Sequence, residues 1–493
     1  MIFNSVEFFI FFPITVSLYF LSPHKYRWVI LLLASCFFYM AFIPAYIIIL
    51  AFLIVVDYFL AIKIEKSCGK EKKLFLVISI LSSCFVLFGF KYFDFFNANI
   101  LAIANFLDWN YPIKMLNLVL PIGLSFHTFQ SLSYVIEVYK GKYKAEKNLG
   151  IYSLYVMFFP QLVAGPIERP QNLLGQFYEK HNFEYNNVTG GLKLMALGLF
   201  KKIVLADRLA MFTSLVFSNV MEYKGLELII GVLFFAFQIY FDFSGYSDIA
   251  IGSAYVMGFK LKDNFRNPYF SRSIADFWRR WHISLSSWFR DYIYFPLGGK
   301  RIKKSRWYFN LLFTFFISGL WHGASWGFII WGTLHGFYYI FGEITKKFRR
   351  KVVEFIGITK LPKTNKYLQI FLTFSLVCFS WIFFRANNLK DAFYIIGNLF
   401  SGMPLQVLSI YSNLSNFNFT KTIIFEHPAY ELLILFCSFI FLGIIYFLQK
   451  NNDVRALLSK EPIFVRWGFY YAIIFGIIFL GVVSEMKFIY FQF

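Results

Sequence analysis

The feature that most constrains this chain is a series of long apolar stretches separated by short polar loops. A helix needs about 20 mostly apolar residues to cross a bilayer. Candidate stretches cover residues 6–22, 28–44, 45–62, 74–90, 115–136, 150–165, 190–220, 226–256, 309–320, 325–342, 367–388, 429–448 and 466–484. Charged residues make up only 15% of the chain, against about 25% in soluble domains. We therefore predict an all-α polytopic membrane protein with roughly ten to thirteen membrane segments, some of them re-entrant.

No internal repeat and no soluble insertion interrupts the series, so a single membrane domain is predicted over residues 1–493. Residues 259–306 hold twelve Lys or Arg against three Asp, a difference of +9 that is close to half of the net charge of +21. Membrane proteins keep such residues on the cytoplasmic side, so we place this segment there and expect no nucleic-acid partner. Its interleaved aromatic residues are typical of half-buried amphipathic helices. They suit a pocket for an anionic cytosolic cofactor equally well.

Two histidines lie in or beside apolar stretches, where ionisable groups are costly and usually functional. His322 and His335 are thirteen residues apart, so on one continuous helix their rings would point in nearly opposite directions. Gly323 and Gly327 favour a break that would let both rings face one cavity. The spacing alone leaves both possibilities open. No ligand spacing typical of a metal site is present, and no metal is predicted.

Three polar islands interrupt other apolar stretches: residues 121–130, residues 159–169 and residues 238–248. Proline and glycine break helices in the first two, and backbone freed at membrane depth must line protein or water. We interpret the islands 121–130 and 159–169 as re-entrant pieces around a tunnel. In the third island Asp248 is expected to be mainly structural, whereas the role of Asp242 stays open.

Several ordered blocks resemble the membrane-bound O-acyltransferase (MBOAT) superfamily. They are FWRRWHISLSSWFRDYIYFPLGG at 277–299, QIYFDFSGYSD at 238–248, WHGASW at 321–326, LHG at 334–336, LPIGLSF at 120–126 and FPQLVAGP at 159–166. Within the superfamily they are most similar to the bacterial alginate and peptidoglycan O-acetyltransferases. The blocks are long and spread over most of the chain, so the resemblance is specific.

The resemblance implies an MBOAT fold around a central tunnel in the bacterial cytoplasmic membrane, surrounded by membrane lipid. It places the catalytic histidine at His322, a second family histidine at His282 and a further His-Gly pair at His335. Cytoplasmic acetyl-CoA would be the donor substrate, with no permanently bound cofactor. A periplasmic SGNH-type partner would then place the acetyl group on a polysaccharide. We expect peptidoglycan, at the C6 hydroxyl of muramic acid, with alginate or another exopolysaccharide as the alternative.

Acyl transfer from a thioester to a hydroxyl needs a base for the hydroxyl proton and a donor for the developing oxyanion. We assign the base to His322, and the donor to His282, His335 or backbone N–H groups. The predicted cofactor-binding residues are Arg279, Arg280, Trp281, Lys300 and Arg301. A structural role for the two adjacent arginines is an equal alternative.

Residues 486–493, MKFIYFQF, allow two interpretations. The first is an aromatic belt at the membrane interface, where tyrosine is common. In the second, Tyr490 folds back into the tunnel and carries the acyl group as a phenol ester. The resemblance implies a similar segment in related envelope-acylating systems, and both interpretations stay open.

Two other classes of protein remain as alternatives. A transporter of an envelope precursor would use His322 as a proton relay, but the paired broken helices of two matching halves are not found. A passive scaffold would leave the histidines in apolar surroundings unexplained.

Overall fold

A computed structural model gives an all-helical protein and describes residues 1–163, 165–406, 428–449, 462–482 and 488–489. No strand occurs in these ranges. The α-helices are α1 (Val6–Leu21), α2 (His24–Met40), α3 (Tyr46–Lys66), α4 (Gly69–Leu87), α5 (Phe93–Phe106), α6 (Leu124–Tyr139), α7 (Leu149–Met157), α8 (Pro170–Leu173), α9 (Tyr185–Leu199), α10 (Asp207–Ser218), α11 (Leu226–Val256), α12 (Ile274–Trp278), α13 (Ile283–Phe289), α14 (Lys304–His322), α15 (Trp326–Ile344), α16 (Lys346–Phe355), α17 (Pro362–Arg385), α18 (Leu389–Asn398), α19 (Ala429–Gln449) and α20 (Ile463–Leu480).

Five helical stretches of the described chain are long and apolar enough to cross a membrane. They are Tyr46–Lys66, Gly69–Phe106, Leu226–Val256, Pro362–Arg385 and Ile463–Leu480, with Val6–Leu21 and Ala429–Ile445 as shorter apolar helices. The all-α polytopic membrane fold is thereby confirmed. The tunnel and the full number of segments stay predictions.

Helix α5 has no counterpart among the predicted stretches. A π-helical turn at Phe88–Tyr92 joins α4 to α5, so that Gly69–Phe106 runs as one helix. Asp94, Asn97 and Asn99 make the second half of this helix more polar than its first half. Asn97 is nevertheless buried, so a polar residue there does not end the helix.

The described residues form two compact units, Met1–Met195 with Tyr246–Asp263, and Ala196–Gly245 with the residues from Asn264 onward. Their folding as a single domain over 1–493 stays a prediction. In the first unit, the polar islands 121–130 and 159–169 lie together. The Gln130 side chain accepts from the Glu168 N–H at 2.9 Å and donates to the carbonyl of Tyr155 in α7 at 3.1 Å. A hydrogen bond therefore connects the two islands.

In the second unit, α14 and α15 form a tightly packed hairpin. Helix α14 ends at His322 and α15 begins at Trp326, so the break that the sequence favours is present. A Cβ atom on Gly332 would lie 2.4 Å from the Phe315 carbonyl oxygen and 2.8 Å from the Cα of Gly319. Only glycine at position 332 allows the two backbones to approach this closely.

Candidate active site

The hairpin brings His322 and His335 to the same tryptophan. The ring of Trp331 lies 4.8 Å from the His322 ring and 5.2 Å from the His335 ring, in both cases edge to face. Both histidines are buried. The break after α14 therefore gathers the two predicted histidines around one indole.

The orientation of His335 is set by a tryptophan from another helix. The Nε1–H of Trp278, at the end of α12, donates to Nδ1 of His335 at 3.3 Å. A ring nitrogen that accepts carries no proton, so the proton of the neutral ring lies on Nε2. Nε2 has no hydrogen-bond partner among the described residues. This tautomer suits His335 to donate a hydrogen bond rather than to act as a base at Nδ1.

His282 lies in a strained turn immediately before α13. Its backbone φ is 43°, a left-handed conformation that costs a non-glycine residue about 1 kcal/mol or more. Asn264 holds the turn, since its carbonyl accepts from the Ile283 N–H at 2.9 Å and its side chain accepts from the Ser284 hydroxyl at 2.7 Å. Burial lowers the pKa of His282 to about 3, so the ring is neutral at neutral pH and suited to donating a hydrogen bond.

Indole rings connect the His282 turn with the other two histidines. Trp281 packs 5.2 Å from Trp381, which stacks 5.7 Å from Trp331. Trp281 is only 1% exposed. The structure thus places this predicted cofactor-binding residue inside the aromatic core, and its role in binding stays a prediction.

A cavity of about 340 Å³ lies beside these rings. Its wall includes Trp278, whose indole N–H reaches His335. The polar lining residues are Arg279, Ser286, Ser287, Arg290, Tyr294, Thr314, Ser318 and Tyr339. Two cations, several hydroxyls and aromatic rings are what an anionic ligand with a planar base would need.

Of the predicted cofactor-binding residues, the cation that lines this cavity is Arg279. Arg290 also lines it and was not among the predicted residues. Arg290 lies in the same basic, aromatic segment, and nothing in the sequence distinguishes it from its basic neighbours. The other predicted cations are outside the lining. Arg280 pairs with Asp276 at 3.0 Å, Lys300 lies over the Trp307 ring at 4.6 Å, and Arg301 is exposed.

Asp242 belongs to a buried charged cluster. The Nζ of Lys202 lies 2.7 Å from Oδ1 of Asp207 and 2.7 Å from Oδ1 of Asp242. The other oxygen of Asp242 accepts from the backbone N–H of Ile489 at 2.7 Å. The residue whose role the sequence leaves open therefore contacts the segment that contains Tyr490.

Phe488 and Ile489 are both buried, which is what the folded-back interpretation of residues 486–493 expects. Tyr490 itself lies outside the described residues, and its role stays a prediction. No group of three His, Cys, Asp or Glu side chains suited to a metal ion occurs within the described ranges.

Comparison with known proteins identifies the class. Residues 147–384 match the model of the MBOAT, membrane-bound O-acyltransferase family. A peptidoglycan O-acetyltransferase of Helicobacter pylori is 34% identical over 94% of this chain and 91% of its own length. The chain belongs to the membrane-bound O-acyltransferase family. It is an O-acyltransferase and a multi-pass protein of the cytoplasmic membrane.

Two further relatives give the range of the similarity. A protein named probable alginate O-acetylase AlgI, from Pseudomonas aeruginosa, is 37% identical over 81% of this chain and 75% of its own length. A teichoic acid D-alanyltransferase of Streptococcus thermophilus is 31% identical over 53% of this chain and 68% of its own length. Family membership favours the enzyme over the transporter and scaffold alternatives.

Proposed function

We propose that this O-acyltransferase takes an acetyl group from cytoplasmic acetyl-CoA and passes it across the membrane to an SGNH-type periplasmic partner, which acetylates the C6 hydroxyl of muramic acid in peptidoglycan. The observation that carries the proposal is the similarity to the peptidoglycan O-acetyltransferase of H. pylori, which covers 94% of this chain and 91% of that protein. This similarity runs over nearly the whole of both chains and is not confined to one segment.

Acetylation of alginate or another exopolysaccharide is the second candidate. The probable alginate O-acetylase of P. aeruginosa has the higher identity, 37%, but over 81% of this chain. Both candidates share the donor and the chemistry, and they differ only in the acceptor beyond the membrane.

The chemistry assigns separate roles to the buried histidines. His322 removes the proton of the attacking hydroxyl, the oxygen bonds to the thioester carbonyl carbon, and the carbon–sulfur bond breaks. The proton then passes from His322 to the departing thiolate. A neutral histidine whose N–H points at the carbonyl oxygen would stabilise the charge that develops there, and His335, with its proton on Nε2, would fill this role.

The cavity would receive the anionic part of the donor. Arg279 and Arg290 would attract the phosphates of coenzyme A, while aromatic walls such as Trp278 would pack against its planar base. Because Trp278 borders the cavity and also contacts His335, the cavity lies beside one of the buried histidines.

Tyr490 would be the first acyl acceptor in this scheme. Its phenol oxygen would displace coenzyme A from the acetyl group, and a hydroxyl of the partner would later displace the phenol. Tyr490→Phe keeps nearly all the apolar surface but removes the nucleophile, so peptidoglycan acetylation should stop while the protein stays inserted. Acetylation at the wild-type rate in Tyr490→Phe would leave this segment as an interface belt.

The acceptor is tested in vesicles that hold the purified chain and its partner, with labelled acetyl-CoA outside and muropeptide or alginate as acceptor. Label released as 6-O-acetyl muramic acid supports the proposal. Label transferred only to alginate supports the second candidate. No transfer to either acceptor, with coenzyme A still released, would overturn both.

A further inference from the structure

A π-helical turn at Phe200–Ala206 interrupts the helix formed by α9 and α10. Such turns are rare in helices and are often found at functional sites. Here the Ile203 carbonyl accepts a hydrogen bond from the N–H of Val482 at 2.9 Å. Val482 follows the end of α20 by two residues. The turn therefore holds the chain at the point where it leaves its last described membrane helix.

The same turn takes part in a second attachment, seven residues further along. Lys202 projects from the turn to Asp242 on α11, and the other oxygen of Asp242 accepts from the Ile489 N–H at 2.7 Å. The backbone N–H groups of Val482 and Ile489 are thus both bound by this part of the chain.

The shared ion pair explains the second attachment. Asp207 and Asp242 share the one ammonium group of Lys202, and its contact with Asp242 is made at Oδ1. A buried carboxylate oxygen without a donor is strongly unfavourable. The N–H of Ile489 supplies a donor to this oxygen, so the cluster and the segment stabilise each other.

Two ring contacts connect the attached segment with one of the predicted histidines. The Phe488 ring lies 5.8 Å from the ring of Phe243, and Phe243 lies 4.6 Å from the ring of His282. Because Phe488 directly precedes Ile489, holding Ile489 also holds Phe488. The Phe243 ring then lies between Phe488 and the strained His282 turn.

We infer that the π-helical turn and Asp242 form a two-point dock that holds the backbone at Val482 and at Ile489 and so positions Ile489 for acyl transfer. Asp242 is a positioning residue in this inference, acting through the Ile489 N–H. The inference rests on the proposed function for its effect on turnover, whereas the dock itself is measurable without any acetyl transfer.

Thiol labelling tests the dock directly. Ile489→Cys keeps the backbone N–H, and the exposed Cys68, Cys84 and Cys437 are first replaced by serine. We expect a membrane-permeant maleimide to label the thiol introduced at position 489 about tenfold faster or more after Asp242→Asn, because the charged acceptor is lost. Asp207→Asn is the matched control, since it removes one carboxylate from the same cluster but leaves the Ile489 contact. Equal acceleration in both variants, or none in either, would overturn the dock.

Turnover tests the positioning role. Asp242→Asn removes the charge of the acceptor, and Ile489→Pro removes the donor of the same hydrogen bond. Each should therefore lower kcat with an unchanged KM for acetyl-CoA. Their effects should not add in the double variant.

Ile489→Ala loses the side chain but keeps the N–H, and it should retain more activity than Ile489→Pro. If Ile489→Pro turns over at the Ile489→Ala rate, the hydrogen bond has no positioning role, even where labelling supports the dock. Loss of all transfer after Tyr490→Phe tests only the role of Tyr490 as acyl carrier, and it says nothing about the dock.

Discussion

The indole N–H of Trp278 donates to Nδ1 of His335 across 3.3 Å, although 57 residues separate them in the sequence. Trp278 also lines the cavity that contains Arg279 and Arg290. One side chain therefore connects the candidate donor site with a buried histidine. Changes at Trp278 should affect the chemical step as well as binding.

Trp278→Phe is expected to lower kcat for acetyl transfer about two- to tenfold, because a hydrogen bond of about 0.5–1.5 kcal/mol that fixes the His335 ring is lost. Trp307→Phe is the matched control. It removes an indole hydrogen bond to Tyr294 at 2.8 Å that does not involve His335. Steady-state kinetics in detergent or vesicles measure both variants. An equal effect of the two substitutions would argue against a specific role for the Trp278 contact.

The arginines at the cavity are predicted to bind the donor. Arg279→Gln with Arg290→Gln should raise the KM for acetyl-CoA several-fold, and the increase should shrink at high salt because exposed charges are screened. Lys300→Gln with Arg301→Gln removes the same charge outside the lining. If this second pair raises the KM equally, attraction by the whole basic segment, as the sequence suggests, explains donor binding better than the cavity does.

Gly332→Ala should disrupt the hairpin that brings the two histidines together. The added methyl group would meet the Phe315 carbonyl oxygen at 2.4 Å, and overpacking of this kind costs about 1–3 kcal/mol. Thermal unfolding in detergent should show a lower Tm, together with a loss of transfer. Gly342→Ala on the same helix is the control, because a Cβ there meets only the end of the Arg349 side chain, at 3.8 Å. A Tm as high in Gly332→Ala as in Gly342→Ala would contradict the close approach.

Local patterns in the sequence predicted much of the fold. The predicted stretch 226–256 coincides with α11, and the glycines after His322 correctly indicated a break between α14 and α15. Both features depend on short-range properties, namely runs of apolar residues and the low helix propensity of glycine.

The contacts that complete the site are long-range, and sequence patterns do not encode them. Asp242 stood out as an acid in an apolar span, but its partners Lys202 and Ile489 lie 40 and 247 residues away in the sequence. Arg290 and Arg279 line the same cavity only because of the way the chain folds around it. The hydrogen bond from Trp278 to His335 was likewise not predictable, since either ring alone is typical of an apolar core.

The central claim is that His322 is the base of acyl transfer. Removing a general base lowers the rate by about 10²–10⁴, so His322→Ala should abolish detectable transfer of labelled acetyl from acetyl-CoA while it remains folded and membrane-inserted. His127→Ala, which removes another buried histidine, provides the control for structural damage. Measured in the same vesicles, loss of transfer in His322→Ala with transfer retained in His127→Ala is the result we predict. Transfer by folded His322→Ala at a rate near that of the wild type would contradict the assignment.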